Sequence, residues 1–140
     1  MDSKGVVEYK ICYLIDDDID EQDFFEMALT ELNNGVQLIY GNDSRTAVKK
    51  LKRENFVPDY IFIDINMPQL NGWECLQEIR KIPHLAHIPI AIYSTSIPAD
   101  HKVRAGGAHV TAFIRKQPNI PALVDVLRDF FLRQGKSAHV

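Results

Sequence analysis

The chain has 140 residues, 46% hydrophobic and 25% charged, which suits one soluble globular domain with a substantial core. A net charge of −3 gives no basic surplus of the kind nucleic-acid binding requires, and no stretch approaches the ~18 apolar residues of a membrane span, so neither nucleic-acid binding nor membrane insertion is expected. Cys12 and Cys75 lie in apolar contexts without metal-ligand spacing and the start, MDSKGVVEYK, has no apolar signal core; both features fit reduced thiols in a cytoplasmic protein.

The first strand is expected in EYKICYLI (8–15), followed by Asp16-Asp17-Asp18. A helix follows over 20–33, where Phe25, Ala28, Leu29 and Leu32 repeat at helical spacing; Asp18 and Asp20 read as acids at its start. VQLIY (36–40) reads as the second strand, and 44–54 as a helix with Ser44 as N-cap and Ala47, Val48 and Leu51 in one stripe. YIFIDI (60–65) is the third strand. The helix over 71–82 carries Asn71 and Glu74 at capping-box spacing, with Gly72, Cys75, Leu76 and Ile79 on one face. IPIAIYS (88–94) is the fourth strand. A short helix over 97–105 is expected to start at Ser96 with Pro98 in its first turn, to hold on mainly through Ile97 and Val103, and to end at Gly106-Gly107. TAFIR (111–115) is the fifth strand, and 120–132 is a helix with the strongest stripe of the chain, Leu123, Val126, Leu127, Phe130 and Phe131.

Five strands alternating with five helices imply an α/β fold, a parallel sheet covered on both faces. At this size right-handed crossovers favour the flavodoxin-like (βα)5 arrangement, a doubly wound sheet of strand order 2-1-3-4-5. Residues 1–140 read as a single domain, with its core at about 8–132 and no room for a second one.

That topology gathers chemistry at the carboxyl ends of the strands. Strand one ends in Asp16-Asp17-Asp18, strand three at Asp64, strand four in Ser94-Thr95-Ser96, and strand five in Arg115-Lys116. Two like charges ~4 Å apart repel by ~1 kcal/mol in water and ~4 kcal/mol at an effective dielectric of about 20. Converging carboxylates therefore call for cations. Lys116 supplies one charge, and a set of oxygen ligands without Cys or His selects a hard ion, Mg²⁺ before Zn²⁺. A metal, a lysine and a hydroxyl around a carboxylate describe phosphoryl chemistry, with Asp64 as acceptor and Ser94 bonding a phosphoryl oxygen.

These residues resemble the receiver domain of two-component response regulators over roughly residues 8–132. The resemblance rests on Asp16 and Asp17 after strand one, D-x-N-M-P-x-x-N-G from Asp64 to Gly72, Ser94 after strand four and Lys116 after strand five. It implies that Asp64 accepts a phosphoryl group from a sensor histidine kinase or a histidine phosphotransfer protein. It also implies that Asp17, Asp64 and the Asn66 backbone carbonyl bind Mg²⁺ directly while Asp16 acts through water. Ser94 and Lys116 would contact the phosphoryl oxygens, and Phe113 would occupy an aromatic switch position. The implied function is that of a stand-alone regulator, not an enzyme but a phosphoacceptor that assists its own phosphorylation and dephosphorylation. It would act as a monomer or weak dimer through an unknown downstream protein or a phosphorelay. KIPHLAHIPIAIYSTS (81–96) looks like a subset of receivers, some of which pair with phytochrome-type kinases. Three departures stand out: Gln117 where Pro usually follows the lysine, His109 where Gly is usual, and Phe rather than Tyr at 113.

Other readings remain beside this one. A degenerate receiver would serve only as a protein-binding module. A haloacid-dehalogenase-like phosphatase would need a second Asp where Asn66 stands, and a flavin-binding fold would need a hydroxyl- and Gly-rich loop where three Asp residues stand. Thr95 and Ser96 read as capping residues, Trp73 as packing or else a partner contact, and His84, His87, His101, His109 and His139 as surface residues.

Overall fold

The computed structural model describes residues 9–137; the expected strand start at Glu8 and the surface His139 lie outside the described residues. The elements in chain order are β1 (Lys10–Ile15), α1 (Ile19–Leu32), β2 (Val36–Gly41), α2 (Ser44–Leu51), β3 (Tyr60–Asp64), α3 (Gly72–Arg80), β4 (Ile90–Ser94), α4 (His101–Arg104), β5 (Ala112–Arg115) and α5 (Ile120–Ser137), with a 3₁₀ turn at Pro83–Leu85. The sheet is parallel throughout, in the order β2-β1-β3-β4-β5, as the sequence implies. This is the flavodoxin-like doubly wound fold.

Side chains alternate across a strand, so each strand feeds two cores. Tyr13, Ile15, Ile61, Ile63, Ile90 and Ile92 face α2 and α3, where they meet Ala47, Val48, Leu51, Leu76 and Ile79. Cys12, Leu14, Tyr60, Phe62, Ala91 and Tyr93 face α1 and α5, against Phe25, Ala28, Leu29, Leu123, Leu127 and Phe130. β3 and β4 are buried along their whole length, which explains why both read as unbroken apolar runs. Among the described residues no helix is long and apolar enough to cross a membrane.

Four expectations change. α2 is capped by Asp43, whose side chain accepts from Thr46 N; Ser44 is buried instead, its hydroxyl accepting from Leu70 N at 3.1 Å and donating to Pro68 O at 3.4 Å. α4 begins at His101 after Asp100, not at Ser96. The residue before a proline is disfavoured in the helical region, so Ile97-Pro98 delays the helix, and the first turn closes through His101 N to Pro98 O at 3.2 Å. Val103 does not anchor α4 either: it is 79% exposed, and the helix contributes no buried side chain. α5 runs past residue 132 to Ser137, where the Asp129–Arg133 pair at 2.8 Å and a Gln134 bond to Phe130 O support a solvent-facing turn. The capping box of α3 forms as its spacing predicts.

Gly72 sets how closely α3 approaches β3. A Cβ there would lie 2.4 Å from the Asp64 carbonyl oxygen and 2.6 Å from Ile65 Cα, both backbone atoms that cannot swing aside. Gly72→Ala is expected to destabilise the chain by about 2–3 kcal/mol through displacement of the end of β3. The midpoint of urea unfolding measures it; an unchanged midpoint would show that the strand end yields freely.

Candidate functional site

The register delivers the candidate residues to one edge. Ile15 pairs with Ile63, Asp64 with Tyr93, and Ser94 with Arg115, so β1, β3, β4 and β5 end level with one another. Asp16 follows the last residue of β1, Asp64 and Ser94 close β3 and β4, and Lys116 follows β5. Lys116 N donates to Ser94 O at 2.7 Å, which continues the β4–β5 ladder by one residue. Gln117 therefore leaves the lysine in place: its own side chain turns back to Arg115 O at 2.8 Å, and no cis peptide occurs among the described residues.

Asp16, Asp17 and Asp64 each present a carboxylate oxygen within 4.8 Å of the others. Asp16 is fully buried and fixed on both oxygens: Oδ1 accepts from Asp18 N at 3.0 Å and Oδ2 from Lys116 Nζ at 3.1 Å. Asp64 lies 3.6 Å from the same ammonium, and its Oδ1 accepts from Asn66 N at 3.5 Å. Asp17 and Asn66 are exposed, Ser94 is buried, and Asp18 caps α1 as expected of a helix-start acid. Burial, and then the Asp16 carboxylate, push the Asp64 pKa up to about 6. Burial likewise raises the Asp16 carboxyl against the pull of Lys116. Burial works against the charged Lys116, yet Asp16 and Asp64 outweigh it and hold the ammonium above its ordinary value.

The three clustered carboxylates outnumber the one ammonium beside them. The donors are oxygens only, closely grouped, and partly open through Asp17, which fits a hard divalent cation.

The remaining candidates sit farther out. Phe113 is half-buried between Trp73, 6.4 Å away between ring centres, and His101, 4.4 Å away. Trp73 is buried, so it packs rather than standing at the surface. His101 is half-buried against Phe113, and His84 Nε2 lies 2.9 Å from Leu51 O, so neither is a bare surface residue; His87 and His109 are exposed. His109 turns its carbonyl toward Arg80 Nε at 2.9 Å.

Two residues escaped the sequence reading. Gln22 Nε2 donates to Asp16 O at 2.9 Å and to Asn42 Oδ1 at 2.7 Å, tying the acidic loop to the end of β2. Glu21 Oε1 stands 3.6 Å from Lys116 Nζ. Helical phase holds the clue: Phe25 is the buried anchor of α1, so residues three and four before it share its inward face.

The raised pKa of Asp64 fixes the sign of a pH effect in protein freed of metal by a chelator. Protonation is easier in the folded chain than at the ordinary value of 3.8, so the stabilisation it brings is complete below about pH 4 and lost as pH rises through about 6. Asp64→Asn is therefore expected to be more stable than wild type by about 1–3 kcal/mol at pH 8, with the difference closing toward pH 4. Urea unfolding at the two pH values measures it, and a gap independent of pH would contradict the burial of this charge.

The family model for the response regulator receiver domain matches residues 12–128. The chain is 25% identical over 124 residues to response regulator Rcp1 of Synechocystis sp., covering 85% of this chain and 84% of Rcp1. It superposes on the phosphorylated cyanobacterial phytochrome response regulator RcpA with a TM-score of 0.77 at 26% identity, covering 88% of this chain and 91% of that one. The Mn²⁺-bound form of Rcp1 superposes with a TM-score of 0.73 at 26% identity, covering 86% and 90%. With the strand order, the acidic cluster and the lysine all in place, the chain belongs to the response regulator receiver domain family.

Proposed function

We propose that this chain is a signalling module whose phosphoacceptor is Asp64 and whose phosphodonor is a phosphohistidine on a sensor histidine kinase or a histidine phosphotransfer protein. One observation carries the reading: a buried carboxylate at the open end of β3 stands 3.6 Å from Lys116 Nζ and within the Asp16–Asp17 cluster. In the transfer, an Asp64 carboxylate oxygen forms the new bond to phosphorus as the phosphorus–nitrogen bond breaks. The electron pair of that bond goes to the departing imidazole nitrogen, which takes a proton from solvent water.

Asp17, Asp64 and the Asn66 carbonyl would hold Mg²⁺ directly, with Asp16 acting through water. When bound, the ion supplies two positive charges beside the transferring group. Lys116 then places a third positive charge on the phosphoryl oxygens, and the Ser94 hydroxyl donates to one of them. Support for a divalent ion comes from the all-oxygen donor set and from the similarity to the Mn²⁺-bound form of Rcp1. On this reading the chain is a phosphoacceptor that assists its own loading and unloading, not an enzyme acting on external substrates.

Output would run through Phe113 and α4. Phe113 is half-buried against His101, the first residue of a helix that buries nothing, so little packing opposes its movement once Ser94 is drawn to a phosphate. The likeness to the cyanobacterial phytochrome response regulator RcpA supports a phytochrome-type kinase as donor.

The test is incubation with acetyl phosphate, with and without Mg²⁺, followed by intact mass measurement. One phosphoryl group is expected on the wild type in the presence of Mg²⁺ and none on Asp64→Asn. Absence of any gain would leave a protein-binding module, and sustained release of phosphate from a stable phosphomonoester, which loads no receiver, would make the chain a phosphatase.

A further inference from the structure

Two side chains meet Lys116 that the transfer chemistry above leaves unused. The Glu21 carboxylate lies 3.6 Å from Nζ, with both side chains largely buried. Tyr93 precedes Ser94 on β4, is fully buried, and presents its ring to the ammonium 5.3 Å from the ring centre. The ring is wedged by edge contacts with Phe25 at 5.5 Å and Phe62 at 6.1 Å. Phe25 stands four residues after Glu21, so one face of α1 supplies the carboxylate and braces the ring. The Tyr93 hydroxyl has no hydrogen-bond partner, so hydrogen bonding does not explain a tyrosine here.

We propose that Glu21 and Tyr93 are positioning residues that seat the Lys116 ammonium against Asp64. The proposal rests on the reading of Asp64 as phosphoacceptor. Lysine carries its charge on a flexible four-carbon stem and needs partners to hold one place. Its shortest contact, Asp16 at 3.1 Å, belongs to the acidic cluster that would hold a divalent cation, and a cation there competes with the ammonium for that carboxylate. Glu21 stands outside that cluster of three and keeps its hold on the lysine when a cation binds. The ring of Tyr93 attracts the ammonium through its electron-rich face. It does so without adding a negative charge to a site already in excess. As ordinary packing, Tyr93 would need only its bulk and Glu21 only its place in the first turn of α1. Neither role requires the ammonium to be held.

The experiment uses the whole chain in two measurements. The first is the rate of phosphorylation by acetyl phosphate at saturating Mg²⁺. The second is the NMR position of the Lys116 ε-methylene protons in the resting protein, which a ring face shifts upfield. Glu21→Gln and Tyr93→Leu are expected to slow phosphorylation roughly tenfold, less than the ~100-fold that full misplacement of a reacting group can cost. Both should return the Lys116 protons toward their ordinary positions. Tyr93→Phe, which keeps the ring and drops the hydroxyl, should recover rate and shift together. For Glu21→Gln, which keeps the ring, thermal melting separates positioning from loss of fold, because a merely structural effect moves the melting point and leaves the Lys116 signals in place. The proposal is overturned if Glu21→Gln leaves both rate and shift as in wild type, or if it speeds phosphorylation, which would make Glu21 a competitor for the lysine. Should wild type accept no phosphoryl group, the phosphoacceptor reading fails by itself, and the Lys116 shifts alone decide the positioning.

Discussion

Lys116 Nζ lies 3.1 Å from Asp16, 3.6 Å from Asp64 and 3.6 Å from Glu21, and each element reaching this edge of the sheet helps to keep it there. β4 fixes its backbone through Ser94 O, α1 brings Glu21, and β1 and β3 end in the other two acids. Without the ammonium, carboxylates gathered within 4.8 Å would repel one another across poorly screened space. Burial first, and the neighbouring Asp16 carboxylate second, raise the Asp64 carboxyl to about 6. The fold holds its acids at a cost, which added positive charge at the cluster would lower.

The loop after β3 is built to resist that tension. Gly72 lets α3 come against the backbone at Asp64 and Ile65, and Gly72 N donates to Ile65 O at 2.8 Å. Between them Gln69 adopts φ 69, a left-handed conformation that costs a non-glycine residue about 1 kcal/mol or more. The buried Ser44 hydroxyl secures the adjoining residues, Pro68 through its carbonyl and Leu70 through its N–H. Asp64 is thus backed by a wall of hydrogen bonds and close backbone contact rather than by a mobile loop. On the proposed reading, a carboxylate that must meet an incoming phosphorus in line gains from such stiffness.

What the sequence made legible was whatever periodicity and strand ends encode. Continuous apolar runs marked β3 and β4 because both faces are covered, and alternation with helices fixed the order of the sheet. Asp16, Asp17, Asp64, Ser94 and Lys116 could be placed together because each follows or closes a strand. Contacts that depend on three-dimensional packing stayed hidden. Ser44 looked like a cap, yet its neighbour Asp43 caps the helix while its own hydroxyl serves a loop twenty-six residues away. Glu21 looked like one more acid in a first turn, and only the depth of α1 against the sheet brings it to Lys116. The start of α4 was misplaced because a serine and a proline suit a first turn, while the residue before that proline does not.

Stiffness is not shared evenly around the site. Asp64 and Ser94 close strands locked between two cores, and Asp16 and Lys116 follow directly on two more, whereas α4 is four residues long and has no side-chain cap. Its ties are few: Gln77 Nε2 to Arg104 O at 3.2 Å and to Ala105 O at 3.4 Å, the packing of His101 on Phe113, and the small side chain of its C-cap residue Ala105 in the core. A change of charge at the strand ends therefore has one easy outlet. The sheet and the β3 loop cannot yield without breaking many contacts at once, while α4 can shift at the expense of a few. Ser94 and Phe113 lie on neighbouring strands, β4 and β5, so on the proposed reading a movement of Ser94 toward a new anion would reach the ring that meets α4 across one strand spacing. The contrast between a rigid charged centre and a loosely tied neighbour is what would allow a local electrostatic event to be read at a distance.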